Sequence, residues 1–360
     1  MDSKTYNNIK LASSVSKAVA SFLLILIFVL SGLSRSLLTL LSHYSANNYL
    51  LFLLFIGVCG IISGLIFAPL NYYTTFYIEH KYKLSNQTLL GWMWEDAKGI
   101  LVSLVIGVPI LLLFFYALNK YGSMWWLHMG VLMFILSVLL ARIVPVLILP
   151  LFYKITPLED LDLKNRINTL AINAGVKVQD VYKFNMSKNT KKANAAFTGI
   201  GKSKRILLGD TLLDNYSKDE IETVLAHELG HYKKKHIIKN IIIGTATSFL
   251  TFFLIAHFYD NSISWFGFQS RTDISALPLL TLWTMLIGII LTPVGNIISR
   301  KYEYEADEYA VTSTHKPAEF ISTLEKINDQ NMGDKDPSPF VEWFFYSHPS
   351  IKKRVAAINK

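Results

Sequence analysis

The sequence predicts a mainly α-helical, polytopic membrane protein that also contains a small soluble α+β portion. Its mean hydropathy is +0.35 and 52% of its 360 residues are hydrophobic, which is too apolar for a soluble enzyme of this length. The apolar residues also form blocks of about 20 residues, the length that crosses about 30 Å of hydrocarbon as a helix. Between the fourth and fifth blocks the composition becomes polar, as expected for a segment that folds outside the membrane.

Six stretches are long and apolar enough to span a membrane. The first is not interpreted as a cleaved signal peptide, because no small-residue cleavage site and polar mature segment follow it. The predicted spans are 19–41, 49–72, 99–118, 125–150, 237–257 and 277–298. The expected organisation is therefore a membrane region at 1–150, a soluble segment at 151–236, two further spans at 237–298 and a soluble segment at 299–360.

The basic residues of the short loops predict the orientation, because lysine and arginine favour the cytoplasmic side. The loops on one side carry only Lys120 and Arg271. The N-terminal tail and the loop after the second span carry Lys4, Lys10, Lys17, Lys81, Lys83 and Lys98. We therefore expect a multi-pass protein of a bacterial inner membrane or of the endoplasmic reticulum, with both termini and the segments 151–236 and 299–360 in the cytoplasm.

The formal net charge of +9 arises mostly from this asymmetry and makes membrane lipid the expected partner of the basic residues. The basic residues are scattered and no base-reading module accompanies them, so no nucleic-acid partner is expected. The only cysteine, Cys59, lies in the second predicted span, which excludes an intramolecular disulfide and a cysteine-rich zinc site.

The soluble segment at 151–236 predicts one helix followed by short strands. Apolar spacing indicates a helix over 158–174, which Gly175 ends. Strands are predicted at 181–184, 195–198 and 205–208, the last two joined by a hairpin at 199–204. Ser217 and Glu220 form a capping-box pattern that starts the next helix. This helix could run directly into the fifth span.

That helix carries the pentad His227-Glu228-Leu229-Gly230-His231, the most informative motif of the chain. Residues four apart share a helix face, so both imidazoles can ligate one metal ion. Glu228 can then reach a water on that metal rather than the metal itself. This arrangement is typical of zincins and predicts one Zn²⁺ per chain. The alternative is an exposed helix that carries two histidines by coincidence. The other histidines are interpreted as structural or interfacial: His43, His80, His128, His236, His257 and His315.

A third metal ligand has to come from elsewhere, and the acidic stretch at 299–310 is the strongest candidate. Glu303 and Asp307 share a helix face, whereas Glu305 is rotated by about 200° from Glu303 and is excluded from that set. We therefore predict that Glu303 ligates the metal and that Asp307 orients a ligating imidazole. The alternative is a solvated acidic helix face, which is commoner in general.

With these motifs the chain resembles the type I CAAX prenyl protease family, integral-membrane zinc metalloproteases that trim prenylated proteins. The resemblance covers roughly residues 20–358, and its motifs occur in the family's order. Only the His227 pentad is strong by itself, but the combination is very specific. The matching stretches are Phe76-Tyr77-Ile78-Glu79, Asn86-Gln87-Thr88, Pro150-Leu151-Phe152, Thr156-Pro157-Leu158, Asn194-Ala195-Ala196-Phe197, 205–213, the pentad, 303–307, Ser347-His348-Pro349 and Arg354.

The resemblance implies a bundle of tilted helices around a hydrated chamber that the zinc faces. It implies that Glu228 is the general base and that His348 and Arg354 bind the oxyanion or the substrate backbone. From sequence alone, a single histidine before proline is more often a turn residue. The resemblance also implies an edge strand that holds an extended substrate by β-augmentation, formed by Asn194, Ala195, Ala196 and Phe197.

The chain departs from the family pattern in two respects. Eukaryotic members have an additional N-terminal span and a longer lumenal segment without counterparts here, so the chamber is expected to be smaller or more open. The strand motif has Ala196 where an aromatic residue is usual, which leaves the side-chain preference open.

The predicted function is that of a zinc-dependent endopeptidase acting near the C-terminus of prenylated CaaX-type or similar membrane-delivered substrates. One alternative is a membrane quality-control metalloprotease with the same ligands, although such chains usually have fewer spans. A non-enzymatic scaffold or transporter is the other alternative. It predicts the loss of Glu228 or of a ligand, and all of these residues are present.

Overall fold

The structure is a computed structural model that describes residues 2–176, 180–198 and 205–359. The first part of the chain forms α1 (Ser3–Leu30), α2 (Leu33–Ser42), α3 (Asn48–Asn71), α4 (Ile78–Lys81), α5 (Leu89–Tyr121), α6 (Trp125–Ile143) and α7 (Leu149–Phe152). The middle forms β1 (Ile155–Pro157), α8 (Leu161–Asn173), β2 (Asp180–Phe184), β3 (Ala195–Thr198), β4 (Arg205–Gly209), α9 (Asp210–Asn215) and α10 (Lys218–Lys233). The remainder forms α11 (His236–Ser262), α12 (Pro278–Thr314), α13 (Pro317–Gln330), α14 (Pro339–Phe345) and α15 (Ile351–Ile358).

Five helical stretches of the described residues are long and apolar enough to cross a membrane. They are Ser3–Leu30, Asn48–Lys81, Leu89–Phe152, His236–Ser262 and Ile274–Thr314. The third contains two predicted spans, because the chain reverses after α5. The ring centroids of Phe114 and Trp125 lie 5.3 Å apart, whereas a continuous helix would separate these residues by about 16 Å. The mainly helical, polytopic class is confirmed, while the number of crossings and the hydrated chamber stay predictions.

The first predicted span, 19–41, does not correspond to one continuous helix. Helix α1 begins at Ser3 and ends at Leu30, and Gly32 then adopts a positive φ of 77° before α2 starts. Hydropathy does not detect this break, since leucines lie on both sides of it. The N-terminal half of α1 is tied to the end of α3 and to α4, with Lys17 2.8 Å from Asn71 Oδ1 and Lys10 2.8 Å from Glu79 Oε1.

The four strands form one sheet in the order β1-β2-β4-β3. Strands β2 and β4 are parallel, whereas β1 and β3 pair in antiparallel fashion with β2 and β4. The predicted strands at 181–184, 195–198 and 205–208 are confirmed, and β1 was not predicted. The hairpin at 199–204 lies outside the described residues. Within the described part of the chain, β3 forms one edge of the sheet.

Helix α10 is held at its start and ends earlier than the sequence suggests. The predicted capping box is confirmed, because Ser217 Oγ accepts from the Glu220 N–H at 3.2 Å and Glu220 Oε2 accepts from the Ser217 N–H at 2.9 Å. The continuous helix into the fifth span is wrong. Helix α10 ends at Lys233, Lys235 adopts a positive φ of 59°, and α11 starts at His236.

Buried side chains on several faces of α10 fix its position. Ile221 and Leu225 pack with Ile167 of α8, while Leu229 packs with Phe320 of α13. These four aliphatic side chains and Phe320 are at most 2% exposed. Burial of such side chains contributes roughly 1.5–3 kcal/mol each. The helix that carries the pentad is therefore held in place by packing against α8 and α13.

Candidate metal centre

The pentad lies where α10 and α12 approach each other closely. A Cβ added at Gly230 would lie 3.0 Å from the Ala306 Cα and 3.1 Å from its carbonyl oxygen. Ala306 and Ala310 are themselves fully buried on the facing helix. Small residues on both helices allow this approach, which brings side chains of α12 within reach of those on α10.

The three predicted ligands meet at this contact. The Nε2 atoms of His227 and His231 lie 3.2 Å apart. Each lies 3.4 Å from a carboxylate oxygen of Glu303. One donor atom from each residue falls within 4.8 Å of the others, the arrangement of a group that can hold a metal ion.

The hydrogen bonds of the two imidazoles show that this group fits a cation. Oδ1 of Asp307 lies 2.8 Å from Nδ1 of His227, and Nδ1 of His231 lies 2.9 Å from His236. With Nδ1 engaged in each ring, both Nε2 atoms are left for the group. Two ring nitrogens and a carboxylate that converge at these distances repel one another unless a positive charge lies between them. Two histidines and a glutamate are also a donor set of catalytic zinc sites.

The pKa of His227 is consistent with this interpretation. Burial disfavours its charged form, but the hydrogen bonds with Asp307 and Glu303 outweigh burial and raise the pKa of His227 to about 9. A metal ion that binds here competes with a proton for this ring, because only the neutral imidazole ligates.

Asp307 is held in place by Arg354. The Arg354 Nε and Nη2 atoms donate to the two Asp307 oxygens at 2.8 and 2.6 Å, and both residues are buried. Such a two-point ionic contact fixes the carboxylate and, through it, the imidazole of His227. Arg354 was predicted to contact the oxyanion or the substrate backbone. The structure shows its contact with Asp307, and the contact with the oxyanion or the substrate backbone stays a prediction.

Glu228 lies beside the ligand group and in contact with β3. Burial raises the pKa of the Glu228 carboxyl, against the opposing influence of His227 and His231. The backbone N–H of Phe197 donates a hydrogen bond to this carboxylate. Glu228 is therefore placed between the ligand group and the edge of the sheet.

The predicted substrate strand is the edge strand β3. Ala195, Ala196 and Phe197 pair with Leu208, Leu207 and Ile206 of β4. Asn194 precedes the strand and accepts a hydrogen bond from the Gly209 N–H through its carbonyl oxygen at 3.0 Å. The ring of Phe197 packs against Tyr232 of α10, with centroids 5.5 Å apart. One edge of the strand is thus paired with β4, and the Phe197 side chain packs the strand against the pentad helix.

His348 lies in the turn between α14 and α15, at the open side of the group. Its Nε2 atom is 3.5 Å from Glu303 Oε1, and its side chain is 64% exposed. Arg300 holds the preceding turn by donating from Nη1 to the carbonyl oxygens of Glu342 and Tyr346 at 2.9 and 2.6 Å. Arg300 lies one helical turn before Glu303, so α12 positions both the carboxylate and the turn that carries His348.

Sequence reasoning assigned no role in the site to two residues that the structure brings to it. His236 was interpreted as structural or interfacial, yet it contacts His231, and Glu305 contacts His236 at 2.9 Å. Glu305 does lie apart from Glu303 and Asp307, as its rotation on the helix predicts. No spacing rule connects His236 to His231, because a break between two helices separates them.

Sequence comparisons agree with this geometry. The model of peptidase family M48 matches residues 157–360, and the model of the CAAX prenyl protease N-terminal region, described as five membrane helices, matches residues 1–154. Membrane-length helices joined to a peptidase region define a multi-pass membrane metalloendopeptidase. The chain belongs to peptidase family M48, whose members are metallopeptidases, so a metal ion is implied at this site.

Individual relatives support the same assignment. CAAX prenyl protease 1 of Saccharomyces cerevisiae is 34% identical over 325 residues, which cover 85% of this chain and 72% of that protein. A Bacillus subtilis protein named uncharacterized metalloprotease YhfN is 30% identical over 99% of this chain and 84% of its own length. The crystal structure of Ste24p from S. mikatae matches 99% of this chain and 88% of that chain, with a TM-score of 0.89 and 30% identity.

Proposed function

We propose that this membrane metalloendopeptidase uses zinc to hydrolyse peptide bonds near the C-terminus of prenylated CaaX-type or similar membrane-delivered substrates. The convergence of His227, His231 and Glu303 beside Glu228 carries the chemical part of the proposal. The substrate class is supported by the yeast relative named CAAX prenyl protease 1 and the human relative named CAAX prenyl protease 1 homolog, with 34% and 30% identity.

One Zn²⁺ per chain is the proposed metal, held by His227, His231 and Glu303. When bound, it supplies Lewis acidity, which polarises the scissile carbonyl and lowers the pKa of bound water towards about 7. Asp307 and Arg354 hold the His227 imidazole with its Nε2 atom directed at the ligand group.

Glu228 is the proposed general base. Its carboxylate takes a proton from the attacking water while the water oxygen bonds to the carbonyl carbon, and it then gives the proton to the leaving nitrogen as the C–N bond breaks. The partly buried position that raises the pKa of Glu228 also suits a group that has to hold this proton between the two steps.

The edge strand β3 is the proposed substrate cradle. An extended peptide would pair with its free edge, and backbone hydrogen bonds of this kind are largely independent of side-chain identity. The contact between the Phe197 N–H and Glu228 supports this role, because it places the strand edge next to the base. The pairing would bring the backbone of the peptide alongside the ligand group.

Replacement of His348 by alanine is expected to lower kcat by about 10²-fold or more with little change in KM. The reason is that His348, at the open side of the group, would stabilise charge that develops on the carbonyl oxygen only in the transition state. Steady-state kinetics on a peptide substrate separates the two parameters. A raised KM with unchanged kcat would show a residue that binds the substrate, and no change in either would show a turn residue.

We infer that both termini and the segments 151–236 and 299–360 face the cytoplasm, where basic residues of the loops contact anionic lipid. The distribution of lysines supports this orientation. The ligands on α10 and α12 would then lie on the side where a lipid-anchored cytoplasmic protein arrives.

The orientation predicts which positions react with an impermeant thiol reagent on intact cells. In a Cys59→Ala background, cysteines at the exposed positions Ala46 and Ser264 are expected to react, because they lie in loops on the outer side. A cysteine at Lys335 is the matched control on the inner side and is expected to react only after the membrane is opened. If only the cysteine at Lys335 were labelled on intact cells, the orientation would be the opposite of the one inferred.

The function itself is tested by incubating the purified protein with a farnesylated CaaX peptide and with the same peptide lacking the lipid. We expect mass spectrometry to show the loss of the last three residues from the farnesylated peptide, with slower or no cleavage of the other. Equal cleavage of both peptides at internal bonds would favour a quality-control protease. If neither were cut, the substrate class would be wrong.

A further inference from the structure

A second chain of hydrogen bonds lies behind the ligand group, on the side of His231. The Nδ1 atom of His231 lies 2.9 Å from Nδ1 of His236, and the Nε2 atom of His236 lies 2.9 Å from Oε2 of Glu305. His236 is 2% exposed, and these are its two ring nitrogens, so both are satisfied within the protein. The buried His236 imidazole thus links the Glu305 carboxylate to the ligand His231.

The ring of His236 is fixed by packing. It stacks on Tyr302 with a centroid distance of 4.1 Å and an interplanar angle of 8°. The Lys239 ammonium group lies beside both Tyr302 and Glu305, 5.3 Å from the Tyr302 ring centroid and 3.6 Å from Glu305 Oε2. The cluster therefore holds His236 in one orientation and places a positive charge beside Glu305.

The break between α10 and α11 brings His236 into contact with His231. Lys235 adopts a positive φ of 59°, a conformation that costs a residue with a side chain roughly 1 kcal/mol. His236 is the first residue of α11 and is turned back towards His231 by this break. On an uninterrupted helix, residues five apart would differ by about 140° in direction and could not face each other in this way.

The two ligating imidazoles are thus supported by different means. His227 has a carboxylate directly on its Nδ1 atom, that of Asp307, with Arg354 behind it. Among the described contacts, the Nδ1 atom of His231 meets no carboxylate but the ring of His236. Glu305 reaches it through the ring of His236 instead.

We propose that His236 and Glu305 are positioning residues for His231, with Nδ1–H of His231 donating to His236 and Nε2–H of His236 donating to Glu305. The proposal rests on the ligand set proposed above. The chain of hydrogen bonds fixes the tautomer and the ring orientation of His231, so that its Nε2 atom is directed at the metal. Loss of such a support typically lowers metal affinity about 10- to 100-fold.

The test measures zinc affinity of the full-length protein in detergent by competition with a chromophoric chelator. His236→Phe keeps a flat ring for the stack on Tyr302 but removes both nitrogens, and it is expected to weaken zinc binding about 10- to 100-fold. Glu305→Gln is expected to shift affinity in the same direction by a smaller factor. The double variant should be no weaker than His236→Phe alone, because Glu305 acts only through His236.

Glu308→Gln is the matched control, since Glu308 lies on the same helix with a side chain that is 70% exposed. Unchanged zinc affinity in both His236→Phe and Glu305→Gln would overturn the proposal, and so would a lower melting temperature with unchanged zinc affinity. Glu305→Gln keeps the test decisive if His236→Phe does not fold. His227→Ala separates the two proposals. If this variant retained zinc binding, the ligand set would be wrong. If it lost zinc while His236→Phe and Glu305→Gln bound zinc normally, only the positioning role would be rejected.

Discussion

Replacement of Glu228 by glutamine is expected to abolish turnover while the protein keeps its metal. Glutamine has nearly the same shape but cannot accept a proton from water, and general-base catalysis is typically worth about 10²–10⁴-fold. Glu228 lies on the pentad helix beside the ligands rather than among the three donor atoms that converge. Rates of peptide cleavage and the metal content per chain, both measured on the purified variant, check the two halves of the expectation.

Glu308→Gln is the control for this experiment. The substitution is chemically the same, but the Glu308 side chain is 70% exposed and its described ionic contact is with Lys234 at 3.8 Å. It should cleave at the wild-type rate. A Glu228→Gln protein that loses its metal would make Glu228 a ligand, and one that still cleaves at the wild-type rate would remove it from the mechanism.

Replacement of Glu303 by alanine is expected to remove metal and activity together. The Glu303 carboxylate is the only donor that α12 contributes to the described group, and each of its distances to the two Nε2 atoms is 3.4 Å. Loss of a residue that supports a ligand costs about 10- to 100-fold in metal affinity, so loss of a ligand itself should cost more. The measurement is zinc stoichiometry after dialysis against a weak chelator, with a melting curve to confirm folding.

Glu308→Ala is the matched control here, because it removes a carboxylate from the same helix without touching the group. It should retain one zinc per chain. If Glu303→Ala kept wild-type zinc and activity while Glu308→Ala lost them, the third ligand would be assigned to the wrong face of α12.

The sequence was most informative where function depends on helical periodicity. His227 and His231 share a face by their spacing, and Glu303 and Asp307 do so on a second helix, so the residues of each set could be grouped without a structure. The structure adds that Gly230 and Ala306 allow the two helices to meet. That contact depends on packing between distant parts of the chain, which periodicity does not report.

Features that depend on irregular backbone could not be predicted in this way. Gly32 breaks an apolar stretch that hydropathy joins, and Lys235 ends the pentad helix before the fifth span, where the sequence allowed one continuous helix. Because of the second break, the contact between His236 and His231 could not be predicted from helical spacing. The resemblance implied a contact of Arg354 with the oxyanion or the substrate backbone, and its ionic contact with Asp307, 47 residues away in sequence, became visible only in the structure.

The central claim is that water, with Glu228 as the base, hydrolyses a peptide bond near the C-terminus of a CaaX-type substrate. The most direct test is the product mass after incubation of a farnesylated CaaX peptide with the protein in ¹⁸O-labelled water. We expect a product that has lost its last three residues and has gained one ¹⁸O atom in the new carboxylate, and no such product with Glu228→Gln. An intact peptide, cleavage at another bond, or a shortened product without the label would contradict the account.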